Sequence, residues 1–248
     1  MAARGRNVIE DQSPPPWNFG APVHPLRSVT IWLIIINVLV YIADNILISH
    51  GIGYVVTIPG VGSMVFPPLQ FWGHFSEVFA IGKLQLWRFI TFQFLHENLE
   101  HILFNMIALY FFGPLVEQAM GRRQFLPFYL LSGMGGAGMY LLLLVLGFHI
   151  GSPWVPLIGA SAGIFGVLVA AAMIAPNVEA LIFGIIPIPL RWLAGLFILY
   201  AVFTVLFSGS NAGGQAAHLG GAVVGYALTR WPGVLERIAW FGKRAPPF

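Results

Sequence analysis

Gly159-Ala160-Ser161-Ala162-Gly163-Ile164-Phe165-Gly166 opens an apolar segment that runs on to Pro176. A hydroxyl framed by small residues in so greasy a stretch has two readings. Gly, Ala and Ser let membrane helices approach closely, which makes Ser161 a packing residue. Alternatively, Ser161 is a nucleophile whose bare surroundings let a carbonyl reach it. The octapeptide alone leaves both open.

Its surroundings narrow the choice. Only 8% of the 248 residues are charged and 58% are hydrophobic, whereas a soluble domain carries about 25% charged residues. Mean hydropathy is +0.81. The chain is read as an all-α, polytopic membrane protein. It has no cysteine, which excludes a disulfide scaffold, a thiolate nucleophile and cysteine metal sites. The net charge of +3 reflects the loops and implies no nucleic-acid partner.

Runs of about 20 apolar residues mark candidate spans. Six are expected, at about 29–48, 99–116, 125–148, 157–175, 190–207 and 213–229. Between the first two lies a long, aromatic and glycine-rich first loop, 50–95, too apolar for an ordinary solvated loop and expected partly in the membrane interface. Residues 178–189 are apolar but too short to span, with Pro187 and Pro189 as breakers. The expected organisation is a short tail at 1–27, a six-span core at 28–230 and a polar tail at 231–248. Pro14-Pro15-Pro16, Glu10 and Asp11 argue against an amphipathic transit peptide, and no cleavable signal follows.

Six spans put both termini on one side. If that side is the cytoplasm, it receives Arg4, Arg6, Arg27, Arg122, Arg123, Arg191, Arg230, Arg237, Lys243 and Arg244, leaving only Lys83 and Arg88 outside. That asymmetry is the positive-inside pattern.

The same topology sets depths. Ser161 is expected a turn inside the outer end of the fourth span, His218 a turn or two inside the outer end of the sixth, and His101 with Asn105 in the first turns of the second. Polar groups in spans are costly and face the bundle interior or a wet cavity. Each has a packing explanation by itself, but three clusters at one depth on one side point to a site. A serine needs a base, and histidine titrates in the right range. A helix start offers free N–H groups to a developing oxyanion, and His101 and Asn105 add side-chain donors. No membrane-depth acid suits a third member, since nothing aims Asp44 at His218, so a Ser161–His218 dyad is the economical reading. Phe165, one turn after Ser161, can stack on the imidazole. Gly221 and Gly225, four apart, form a small-residue ridge that lets the sixth span touch the fourth.

These motifs, in this order, resemble those of the rhomboid intramembrane serine proteases across all six spans. Trp87-Arg88 looks like the family's first-loop pair, and His96, His101 and Asn105 look like its second-span signature. Gly113, Glu117 and Gly121 match its inner-end spacing, Gly159-Ala160-Ser161 its nucleophile motif, and Ala217-His218 with Gly221 and Gly225 its base motif. The resemblance implies Ser161 as nucleophile and His218 as base. It also implies an oxyanion hole from the Ser161 N–H, His101 and Asn105, with structural roles for Arg88 and Glu117. Phe165 stands where many members carry tyrosine, and Asn98 where glycine is common. The implied activity is cleavage of transmembrane segments in single-span or polytopic membrane proteins within the bilayer, without metal or cofactor. A bacterial inner membrane is the expected location. The competing classes are a non-catalytic rhomboid-like protein that binds membrane clients, and a proton-relaying transporter or channel.

Overall fold

A computed structural model of the chain describes residues 27–58, 62–182 and 184–241. All of the expected tail at 1–27 except Arg27, and residues 242–248 of the expected tail at 231–248, lie outside the described residues.

Helix α1 (Val29–Ser49) is built inside out. It buries Thr30, Asn37 and Asp44 beside Leu33, and exposes Trp32, Leu39, Ile42 and Ile46. Polar in and apolar out suits a helix whose solvent is hydrocarbon, where side-chain polarity must be satisfied within the protein. Asn37 accordingly donates to the Leu33 carbonyl at 2.8 Å.

The first loop is structured throughout its described length. Strands β1 (Tyr54–Ile58) and β2 (Gly62–Phe66) pair antiparallel, Tyr54 facing Phe66 and Ile58 facing Gly62. Short helix α2 (Pro68–Gly73) follows, then a π-helical turn at Val78–Gly82, helix α3 (Arg88–Thr91) and a 3-10 turn at Phe92–Phe94. Asp44 reaches from α1 to accept the N–H groups of Leu69 and Gln70 at 2.8 and 3.2 Å. A carboxylate there satisfies donors that the first turn of α2 leaves free. That is the partner the sequence did not supply for Asp44.

Helix α4 (Leu99–Met120) starts at Asn98, whose side chain accepts the His101 N–H at 2.8 Å, and stops at Gly121, where φ is +80°. Helix α5 (Arg122–Val145) follows at once. Helices α6 (Ser161–Ile174), α7 (Leu190–Leu206) and α8 (Ala212–Arg230) complete the bundle. Between α6 and α7, strands β3 (Glu179–Ile182) and β4 (Ile186–Pro189) form a second hairpin.

A helix lies at each of the six expected segments. Of these, α1, α4 and α5 are long and apolar enough to cross a membrane, and α6 and α7 are shorter apolar helices. The chain is therefore a mostly helical membrane protein, not strictly all-α, with two small hairpins among the described residues. The third segment ends at Val145 rather than near Phe148, and the fourth begins at Ser161 rather than Leu157. Past Arg230, helix α9 (Gly233–Phe241) forms where a polar tail was expected, with Leu235 fully buried.

Helix α6 is the centre. Nine of its 14 residues are buried, against four of 21 in α1, and a helix apolar all round belongs in the core. Val167, Leu168, Ala170 and Ala171 share a cluster with Leu109 of α4, Phe125, Phe128 and Tyr129 of α5, and Leu190 and Leu193 of α7.

Candidate active site

Close helix contact brings the polar residues of α6 and α8 together. A Cβ on Gly221 would land on the Ala162 carbonyl oxygen, and one on Gly225 would strike the Gly166 backbone. Only hydrogen at those positions lets α8 lie this near α6. Across that seam, His218 Nε2 stands 2.7 Å from Ser161 Oγ. The Phe165 ring stacks on the imidazole, with centroids 4.1 Å apart and planes 12° from parallel.

Ser161 is the first residue of α6, not one turn inside it. Residue Ala160, just before it, offers no side-chain cap, so the helix-start N–H groups and the positive end of the helix dipole face the serine. The approach to Ser161 is tied down by backbone bonds. Gly159 N–H donates to the Phe92 carbonyl at 2.9 Å, and Phe75 exchanges a pair of bonds with Leu157 at 3.0 and 2.7 Å. Gly159 has φ +128°, and a Cβ there would sit 2.8 Å from His101 Nε2. Glycine is required twice over, by the backbone angle and by the neighbouring imidazole.

His101 and Asn105 line a cavity of about 1200 Å³ together with Ser161 and His218. Asn105 is buried, and its Nδ2 has no hydrogen-bond partner. Asn98, the departure from the family's glycine, caps α4 and thereby holds the residue that carries the His101 ring.

The other motif residues lie apart from the cavity. Arg88 is fully buried. Its Nε donates to Gln85 Oε1 at 2.6 Å, Nη1 to the His74 carbonyl at 2.6 Å and Nη2 to the Phe71 carbonyl at 2.9 Å, tying the first loop together. Burial lowers its pKa to about 10, so it stays charged at neutral pH. Trp87 donates from Nε1 to the Trp72 carbonyl at 3.1 Å. His96 is buried with both ring nitrogens unpartnered, edge-on to His101 at 5.0 Å. Burial, then the His101 charge, push its pKa down to about 3, which keeps it neutral. At the far end of α4, Glu117 accepts from the Ser28 and Thr30 hydroxyls and from the Val29 and Thr30 N–H groups, all within 2.9 Å. Gly113 lets α1 pass, since a Cβ there would meet Thr30 Cγ2 at 2.6 Å.

Sequence reading overlooked Gln215. Its Oε1 lies 2.9 Å from His218 Nδ1. The signal was a polar residue three positions before a histidine, which puts both on one helix face.

Chemically, the arrangement pairs a hydroxyl with an imidazole beside free donors in a space large enough for a peptide. The sequence profile of the Rhomboid domain matches residues 83–231. The mitochondrial RHOMBOID-like protein 12 of Arabidopsis thaliana is 30% identical, over 59% of this chain and 46% of its own length. Rhomboid protease AarA of Providencia stuartii is 30% identical, over 58% and 54%. Rhomboid protease GluP of Bacillus subtilis is 28% identical, over 68% and 30%. The chain thus spans about half the length, or less, of these curated relatives. With the profile running unbroken from the first loop through the helix that carries His218, this chain belongs to the rhomboid family.

Proposed function

We propose that the chain is an intramembrane serine endopeptidase that cuts transmembrane segments of single-span or polytopic membrane proteins. The observation that carries this reading is the 2.7 Å contact between Ser161 Oγ and His218 Nε2 at the wall of a peptide-sized cavity. The six helices α1 and α4–α8 cross the bilayer and the first loop rests partly in its outer interface. Both termini are cytoplasmic, as the excess of arginine at the inner ends requires. The core is 28–230, flanked by cytoplasmic tails, in a bacterial inner membrane.

Chemistry follows from the residues present. A substrate helix must unwind first, because a helical carbonyl is already hydrogen-bonded and covered. Ser161 Oγ then attacks the scissile carbonyl carbon while its proton passes to His218 Nε2. The carbonyl electron pair collects on oxygen, where the Ser161 N–H, Asn105 Nδ2 and the His101 ring stabilise it. Collapse breaks the C–N bond, and His218 returns the proton to the leaving amine. Water attacks the resulting ester, giving its proton to His218, and Ser161 leaves with that proton. Phe165 keeps the imidazole in plane throughout.

Two measurements test the proposal. Purified protein should react with a fluorophosphonate at Ser161, and a Ser161→Ala variant should not. Co-expression with a panel of single-span membrane proteins should yield Ser161-dependent fragments. Absence of both labelling and cleavage would leave a client-binding role in its place.

A further inference from the structure

We infer that Gln215 is a positioning residue that selects the reactive tautomer of His218. The inference rests on the reading of Ser161 and His218 as nucleophile and base, and deepens it.

Gln215 and His218 share a face of α8, and only one pairing fits their contact. The amide Oε1 is solely an acceptor, so the 2.9 Å contact with His218 Nδ1 requires the proton on Nδ1. A neutral imidazole protonated at Nδ1 has its lone pair on Nε2. That nitrogen faces Ser161 Oγ at 2.7 Å, where a base needs a lone pair. An imidazole in water favours the opposite tautomer slightly or neither, and Phe165 fixes the ring plane without choosing between nitrogens. Gln215 supplies the missing choice. It is itself buried and lines the cavity wall beside the histidine, so its amide is held against the ring.

The amide also differs from a carboxylate in one respect. It orients the ring without adding negative charge, so it stabilises the imidazolium less than a carboxylate in its place would. Among the described residues, few titratable groups share the cavity with His218. His101 comes from α4, Tyr140 from α5, Tyr200 from α7 and His149 from the α5–α6 connection, with Glu97 and Glu100 on the α4 side of the cavity. Helix α6 presents none. Replacing the amide by an acid at Gln215 would therefore put the nearest carboxylate against Nδ1.

The test uses the full chain in detergent and in liposomes. Compared are wild type, Gln215→Met, which keeps length and loses the amide, and Gln215→Glu, which keeps the acceptor and adds charge. Fluorophosphonate labelling and cleavage of a single-span substrate are followed against pH, and His218 ring nitrogens are read by 15N NMR. Wild type should show the Nδ1–H tautomer. Gln215→Met should mix the tautomers and lower kcat about 3- to 10-fold, the factor of one neutral hydrogen bond, with KM unchanged. Gln215→Glu should keep the Nδ1–H tautomer and raise the acidic limb of the kcat profile by about one pH unit or more. An Nε2–H tautomer in wild type, a Gln215→Met enzyme as fast as wild type, or an unmoved limb in Gln215→Glu would overturn the inference. If Ser161→Ala labels like wild type, the protease reading fails instead, and the tautomer spectra still judge Gln215.

Discussion

Helix α4 carries a buried polar side chain towards each end, and the two are treated oppositely. Glu117 accepts four hydrogen bonds from Ser28, Val29 and Thr30. Asn105, almost equally buried, leaves its Nδ2 without any partner and faces the cavity. Buried polar groups are normally satisfied, and leaving one unmade costs about 1–3 kcal/mol. The satisfied end is finished structure, holding α1 to α4. The cavity end instead keeps an unpaired amide on the wall it shares with Ser161 and His218, the placement that the proposed oxyanion role needs.

That contrast can be broken at several points. The largest effect is expected at the cavity. Ser161→Ala or His218→Ala should cut turnover by about 10⁶-fold in a protein that still folds, measured by substrate cleavage beside thermal denaturation. Asn105→Ala comes next. It should lower kcat by about 10²–10³ and leave stability unchanged or raised, because the lost Nδ2 has no partner to abandon. Glu117→Ala should do the reverse. Several buried donors lose their acceptor, so stability should fall by about 2–4 kcal/mol while turnover per folded molecule stays near wild type. An Asn105 variant that unfolds, or a Glu117 variant that is stable but inactive, would erase the distinction.

The smallest effect is on pH dependence in the first loop. Burial, the largest cause, lowers the His74 pKa to about 4 and that of His96 to about 3. In the unfolded chain both would take a proton near pH 6.5. Below that value the unfolded state binds protons that the native state refuses, so stability is flat above about pH 6.5 and falls as pH drops towards 3–4. Unfolding midpoints in detergent between pH 8 and 4 would measure the slope. His96→Phe, which keeps a ring against His101, should flatten part of it.

Much of the site was legible because its residues are chemically out of place. A serine, two histidines and an asparagine in apolar segments cost energy unless used, and the loop arginines gave the expectation that they share one depth. What stayed hidden lacked such a signal. Residues Leu157 to Ala160 are as apolar as the helix they precede, so hydropathy alone could not start α6 at Ser161. The hairpins at 54–66 and 179–189 use strands of four or five residues, too short to show a period. Glu117 meets Ser28 and Thr30 from far along the chain, and Asp44 meets α2 across the first loop, and neither pairing has a local pattern. Gln215 did have one, at helical spacing from His218, but sat among glycines and alanines that read as packing.

The bonds from Phe75 to Leu157 and from Gly159 to Phe92 join the approach to Ser161 to the first loop. Segments joined in this way open together, so their amide protons should exchange with solvent at one common rate rather than as two independent regions. The flank bearing α7 meets the site differently, through a T-shaped contact between the Phe197 and Phe165 rings. Ring contacts yield more readily than backbone bonds, so amides on the α7 flank should exchange independently of those on the first-loop flank, and faster.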